Sequence, residues 1–171
     1  MKDGDRLWFE PLVLSLGRPA TKFANVLVHD FDLAEEIVQE AFARMWASPK
    51  TPKPEVEFRR YLYRIITNLA HDYYRKRARR ADTYVDVGMV LNPLDLVDER
   101  AGEEAIRTAL YSLRLRERQA IYLRYFEDLS FAETARIMGA RQVAVRVMVH
   151  RALGRLRREI EANRRSEPVA I

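Results

Sequence analysis

The chain has 171 residues, 48% of them hydrophobic and 32% charged, which suits a folded globular protein and argues against disorder. The absence of cysteine excludes disulfides, a thiolate zinc site and a cysteine nucleophile. No apolar run approaches the ~20 residues that span a bilayer, and Met1-Lys2-Asp3-Gly4-Asp5-Arg6 is too charged to open a secretory signal. The expectation is a cytoplasmic protein of one domain or two small ones, with no membrane segment.

The net charge of +5 is unevenly spread. Five acids and no base lie between Asp30 and Glu40: Asp30, Asp32, Glu35, Glu36 and Glu40. From Arg59 to Arg80, eight bases (Arg59, Arg60, Arg64, Arg75, Lys76, Arg77, Arg79, Arg80) face Asp72 alone. Arg141 to Arg165 again holds eight basic positions, all arginine, against Glu159 and Glu161. Two separated arginine-rich stretches have the composition of footprints for a polyanion. A basic run can also be a solvated helix face, so where these runs sit decides their meaning.

The first predicted helix covers Leu12 to Val28, interrupted by Gly17 and Pro19. Apolar residues at helical spacing then run through Leu33, Ala34, Ile37, Val38, Ala41, Phe42 and Met45. Asp32 is the predicted N-cap of this second helix, and Pro49, Pro52 and Pro54 stop it near Ser48. A third stripe, Phe58, Tyr61, Leu62, Ile65, Ile66, Leu69 and Tyr73, leads into the first basic run. These helices predict an amino-terminal domain over 5–80. Residues 81–102 carry Asp82, Asp86, Asp95, Asp98 and Glu99 without a sustained period, and are expected to form an acidic linker.

Helical patterns return from Glu103. Ser130-Phe131-Ala132-Glu133 is a capping-box pattern opening a short helix that ends at Gly139. A last helix runs from about Arg141 past Arg158. Ala135, then Gly139 four residues on, then Val145 six further, is the spacing of a helix-turn-helix. The small residue lets the helices approach, glycine supplies the left-handed turn, and valine points back into the core. The last helix would present Arg141, Gln142, Ala144, Arg146, Val147, Met148 and Arg151 toward a major groove. The fold class is therefore all-α: a domain over 5–80, a linker over 81–102, a helix-turn-helix domain over 103–162 and a tail over 163–171.

Three longer stretches carry a resemblance. Leu33-Ala-Glu-Glu-Ile-Val-Gln-Glu-Ala-Phe-Ala-Arg-Met-Trp46 closely resembles region 2.2 of the sigma-70 family, especially its extracytoplasmic-function (ECF) group. Phe58 to Asp72 resembles the following regions 2.3 and 2.4. Leu113 to Gln119, Leu123 to Glu133 and His150 to Leu156 resemble region 4. The resemblance implies a three- or four-helix region 2 domain and a region 4 helix-turn-helix domain. It implies binding to core RNA polymerase, through the β′ clamp helices and the β flap, and to promoter −10 and −35 elements, with DNA melting at initiation. It also implies a separate anti-sigma factor as regulator.

Residue by residue, the resemblance assigns polymerase contacts to Asp32, Glu35, Glu36, Gln39, Glu40 and Arg44. The −10 set is Lys50 and Lys53 in a proline-stiffened loop that would hold a flipped base, with Tyr61, Arg64, Asn68, Arg75, Lys76 and Arg77 on the helix after it. Asn68 matches a base-reading position, and the cations after it suit phosphate. Tyr61, Tyr63, Tyr73 and Tyr74 are candidates for stacking on bases, although Tyr61 and Tyr73 lie on the apolar stripe.

The recognition helix departs from the family. Many relatives open it with Ser-x-Gly-Thr-Val-Lys-Ser-Arg, whereas this chain has Arg141-Gln-Val-Ala-Val-Arg-Val-Met148. Either it reads a different −35 sequence, partly through thymine methyls, or this surface contacts a protein.

Two other function classes fit the residues less well. A one-component regulator would leave the Leu33 to Trp46 motif unexplained. A nucleic-acid enzyme finds no support in His29, His71 and His150, which lie far apart with no carboxylate pair in a metal motif. No cofactor, metal or catalytic residue is expected.

Overall fold

The computed structural model describes residues 7–80 and 108–166. The chain divides into two compact units, Met1–Tyr84 and Val85–Ile171. The acidic linker expected over 81–102 lies outside the described residues, as do positions 103–107 and 167–171.

The first unit packs three helices on one another: α1 (Phe9–Val28), α2 (Phe31–Ala47) and α3 (Glu55–Arg80). Gly17 and Pro19 do not interrupt α1, which runs straight through them. Proline removes one N–H, and the carbonyl that loses it belongs to exposed Ser15, where water can replace the bond. Buried Leu16, Ala20, Phe23, Ala24 and Leu27 hold the helix on both sides of the proline.

His29, left-handed at φ 59°, ends α1 and donates its N–H to the Asn25 carbonyl. Asp30 then caps α2, its carboxylate accepting the Leu33 N–H at 3.0 Å. The cap is thus Asp30 and not Asp32, which sits in the first turn and still complements the helix dipole. The single left-handed residue lets the chain reverse within two positions, and Asp30 is the one in extended conformation there.

Phe9 sits at the centre of an aromatic cluster, with ring centroids 5.7 Å from Trp8, 6.4 Å from Phe42, 5.1 Å from Trp46 and 5.4 Å from Phe58, all edge-on. Such edge-to-face pairs add to the gain from burial. In α3 the fully buried tyrosine is Tyr63, 4.8 Å from the Phe23 ring, while Tyr61 and Tyr73 are half-buried. The Tyr74 hydroxyl reaches the Leu27 and Val28 carbonyls at 3.1 and 3.2 Å, binding the orphan carbonyls at the end of α1. Tyr63 is therefore a core residue that has no ring face free for a base, and the Tyr74 hydroxyl ties α3 to the end of α1.

In the second unit residues 108–111 are helical, followed by α4 (Leu115–Tyr125), α5 (Phe131–Met138) and α6 (Gln142–Ser166). Every residue from Glu117 to Leu123 is buried, so α4 is the central helix of this unit. Burial, with Glu127 adding a smaller push, raises the Tyr122 hydroxyl to about 12, and it stays neutral beside the stacked Phe126 ring.

Ser130 and Glu133 cap α5 reciprocally, at 3.2 and 2.8 Å. Gly139, at φ 59°, ends it in a Schellman motif, with Ala140 N–H on the Ala135 carbonyl. Val145, Val149 and Ala152 form the buried face of α6.

Replacing Phe9 with alanine should cost about 3–5 kcal/mol, because a buried ring leaves a cavity between four others. A Cβ at Gly17 meets nothing within 4 Å, so Gly17→Ala should stabilise by about 0.5–1 kcal/mol through helix propensity. Urea denaturation of the two variants should move the midpoint in opposite directions; parallel shifts would contradict this packing.

Candidate nucleic-acid interface

The buried stripe of α2 (Ala34, Ile37, Val38, Ala41, Met45) leaves Asp32, Glu35, Glu36, Gln39 and Glu40 exposed on the other side. Glu40 and Arg44 pair with each other at 2.7 Å, both about half exposed, so each largely cancels the other's field. Asp32, Glu35 and Glu36 have no ion-pair partner among the described residues. The free charge of this face is concentrated in the first turns of α2.

The loop from Ser48 to Pro54 is tied down at several points. The Thr51 hydroxyl donates to the Met45 carbonyl at 2.6 Å, the Lys50 N–H to the Ser48 hydroxyl at 3.2 Å, and Lys53 Nζ lies 5.9 Å from the Trp8 ring. Lys50 is exposed. These contacts brace the loop from within, and Lys53 takes part in a cation–π contact.

On α3, Tyr61, Arg64, Asn68 and Arg75 recur at separations of three, four and seven residues, which puts them on one stripe about 21 Å long. Arg64, Asn68 and Arg75 are exposed and Tyr61 is half-buried. Arg75 pairs with Asp72. Lys76 flanks the stripe, whereas helical geometry puts the exposed Arg77 on the far side. Arg77 thus projects from a different face of α3 than the stripe does.

In the second unit the inner face of α6 leaves Gln142, Val143, Ala144, Arg146, Val147 and Arg151 exposed, with Met148 half-buried and Arg141 exposed just before the helix. Val143, absent from the sequence-derived set, is the most exposed of the large apolar residues here at 72%. Its place one turn before Val147 was the available signal. Two guanidiniums, those of Arg124 and Arg146, each lie 5.3 Å from the centre of the Phe131 ring. This pins Arg146 toward the start of α5 and makes it a bracket between the two helices as well as a surface cation. The Glu117 carboxylate, one-tenth exposed, accepts both the Arg155 guanidinium at 2.8 Å and the Arg114 N–H at 3.2 Å, fastening α6 to α4.

Among the described residues no group of three or more His, Asp or Glu side chains could hold a metal, and no helix is long and apolar enough to cross a membrane. The two units thus offer one acidic helix face and two cationic ones.

Comparison with known proteins assigns the family. The model for Sigma-70 region 2 matches residues 12–80, and that for Sigma-70, region 4 matches residues 103–156. The chain belongs to the sigma-70 family. The RNA polymerase sigma-E factor of Streptomyces coelicolor is 29% identical to this family member over 160 residues, covering 93% of this chain and 89% of that one. The ECF RNA polymerase sigma factor SigW of Bacillus subtilis is 29% identical over 142 residues, 74% and 75% of the two chains. This member of the sigma-70 family is thus an RNA polymerase sigma factor of the ECF type. The fold is shared with the Bartonella quintana sigma factor RpoE, solved in complex with the anti-sigma factor NepR. The TM-score is 0.71 at 24% identity, covering 90% of this chain and 96% of that one.

Glu117→Ala should leave Arg155 partly buried without its carboxylate and cost about 1–3 kcal/mol. Thermal unfolding checks this, and the same variant should lose DNA binding in parallel because α6 loosens. Unchanged stability would show that the ion pair does not hold the recognition helix.

Proposed function

We propose that this sigma factor binds core polymerase through the acidic face of α2 and then presents α3 and α6 to promoter DNA. The supporting observation is that Asp32, Glu35 and Glu36 are exposed and unpaired in the same unit whose α3 carries the Tyr61, Arg64, Asn68 and Arg75 stripe. An acidic face repels DNA and suits a basic partner protein, while the cationic stripe does the reverse. One small domain therefore has two addresses of opposite sign.

In this reading Glu35 and Glu36, with Asp32 and Gln39, meet the β′ clamp helices, and the Glu40–Arg44 pair lies at the rim. Asn68 reads a −10 base edge, Tyr61 lies under the unpaired strand, and Arg64, Arg75 and Lys76 hold phosphates. The loop with Lys50 and Lys53, already braced, receives a flipped base at reduced ordering cost. Arg141, Gln142, Ala144, Arg146, Val147, Met148 and Arg151 face the −35 element, with region 4 seated on the β flap. Domain limits of 5–80 and 103–162, with an acidic linker at 81–102, suit this division of labour, although the last helix runs on to Ser166, into the tail expected at 163–171.

The chain itself performs no catalysis, since nucleotide addition belongs to the core enzyme. It works in the cytoplasm, where that enzyme and the promoter are. A separate anti-sigma factor fits the reading, as the Bartonella quintana relative was solved with one.

Run-off transcription with core polymerase on a genomic promoter library is the test. Defined transcripts should appear only when the protein is added, and their start sites should share −10 and −35 elements. Arg151→Ala should weaken promoter binding and lower its salt dependence by about one unit of slope. No protein-dependent transcript would refute the reading.

A further inference from the structure

The outward face of α6 is unusual for a solvated helix. Val143 is 72% exposed and Val147 45%, and exposed Ala144 lies beside them. Helical geometry sets Val143, Val147 and Arg151 on the side opposite the buried Val145, Val149 and Ala152. Valine is a poorer helix former than alanine and gains nothing from facing water, so neither residue serves the helix itself.

The surroundings of the two valines are cationic. Arg141, Arg151 and Arg158 are exposed, and the first turn of α6 holds no acid. An apolar protein surface would leave these guanidiniums unanswered, whereas a polyanion with an apolar feature between its phosphates would satisfy both. The major groove of DNA is such a surface, and the thymine C5-methyl is the apolar group on its base edges. Gln142, exposed at the start of the helix, can bond the adenine of the same pair. The guanidinium of Arg146, the other polar group of the first turns, is exposed and lies 5.3 Å from the centre of the Phe131 ring.

We infer that Val143 and Val147 are specificity-determining residues that read thymine methyl groups in the major groove, so that the upstream element recognised by this chain contains A·T pairs under the start of α6. This rests on the promoter-binding reading above and adds the chemistry of what is read.

The test uses the full chain with core polymerase and a duplex pool randomised over the upstream element, copied with either dTTP or dUTP. The thymine pool should enrich A·T pairs at fixed positions. The enriched duplexes, remade with deoxyuridine for thymine, should bind about fourfold more weakly per methyl lost. Val143→Ala and Val147→Ala should each narrow that difference, while Arg151→Ala should weaken both duplexes alike. Equal affinity of the unaltered protein for the thymine and uracil duplexes overturns the inference and leaves promoter binding standing. A thymine preference that survives in both valine variants also overturns it. If neither pool enriches any sequence, the promoter-binding reading falls with it.

Discussion

The rotation of α2 about its own axis governs what the first unit can present. Ala34, Ile37, Val38, Ala41 and Met45 are buried against α1 and α3. Turning the helix by one residue would drive an unpaired carboxylate into that contact, a penalty of several kcal/mol. A surface charge contact contributes about 0–1 kcal/mol, so packing, and not electrostatics, decides which way the helix faces. The acidic surface is a consequence of the apolar one. Two alanines in the stripe keep the helices close, and the Asp30 cap fixes where the helix begins.

The second unit repeats this logic with the opposite sign. Val145, Val149 and Ala152 set the rotation of α6, and Gly139 sets the angle at which the chain enters it. The Glu117–Arg155 pair and the Arg146–Phe131 contact then fasten the helix to α4 and α5. Arginine on α6 therefore has two kinds of work. Arg155 is half-buried and paired with Glu117, whereas Arg146, although its guanidinium rests near Phe131, is exposed like Arg141 and Arg151. Because Glu117 neutralises Arg155, counting cations along the sequence overstates the charge available to DNA.

Much of this was legible in the residues because amphipathic spacing is local. The α2 stripe, the Ser130–Glu133 box, the left-handed Gly139 and the buried Val145 all follow from patterns a few residues long. What escaped depends on distant partners. Tyr63 rather than Tyr61 is buried because Phe23 of α1 lies against it, and Tyr74 is engaged because α1 ends beside it. Pro19 reads as a break until exposed Ser15 shows that the lost bond faces water. Asp30 and Asp32 are both good caps, and only the reversal at His29 selects the first. The buried polar run Glu117, Arg118 and Gln119 gave no signal at all, since such residues normally lie on a surface.

The central claim is that the acidic face of α2 is the docking surface for the transcription enzyme. Its most direct test is the affinity of the full chain for core RNA polymerase, measured by fluorescence anisotropy over a range of salt, with and without Glu35→Lys and Glu36→Lys together. Both residues are exposed, so the fold should persist. The account predicts a loss of about tenfold or more at low ionic strength, shrinking as salt screens the charges. An affinity unchanged by the double reversal would contradict it.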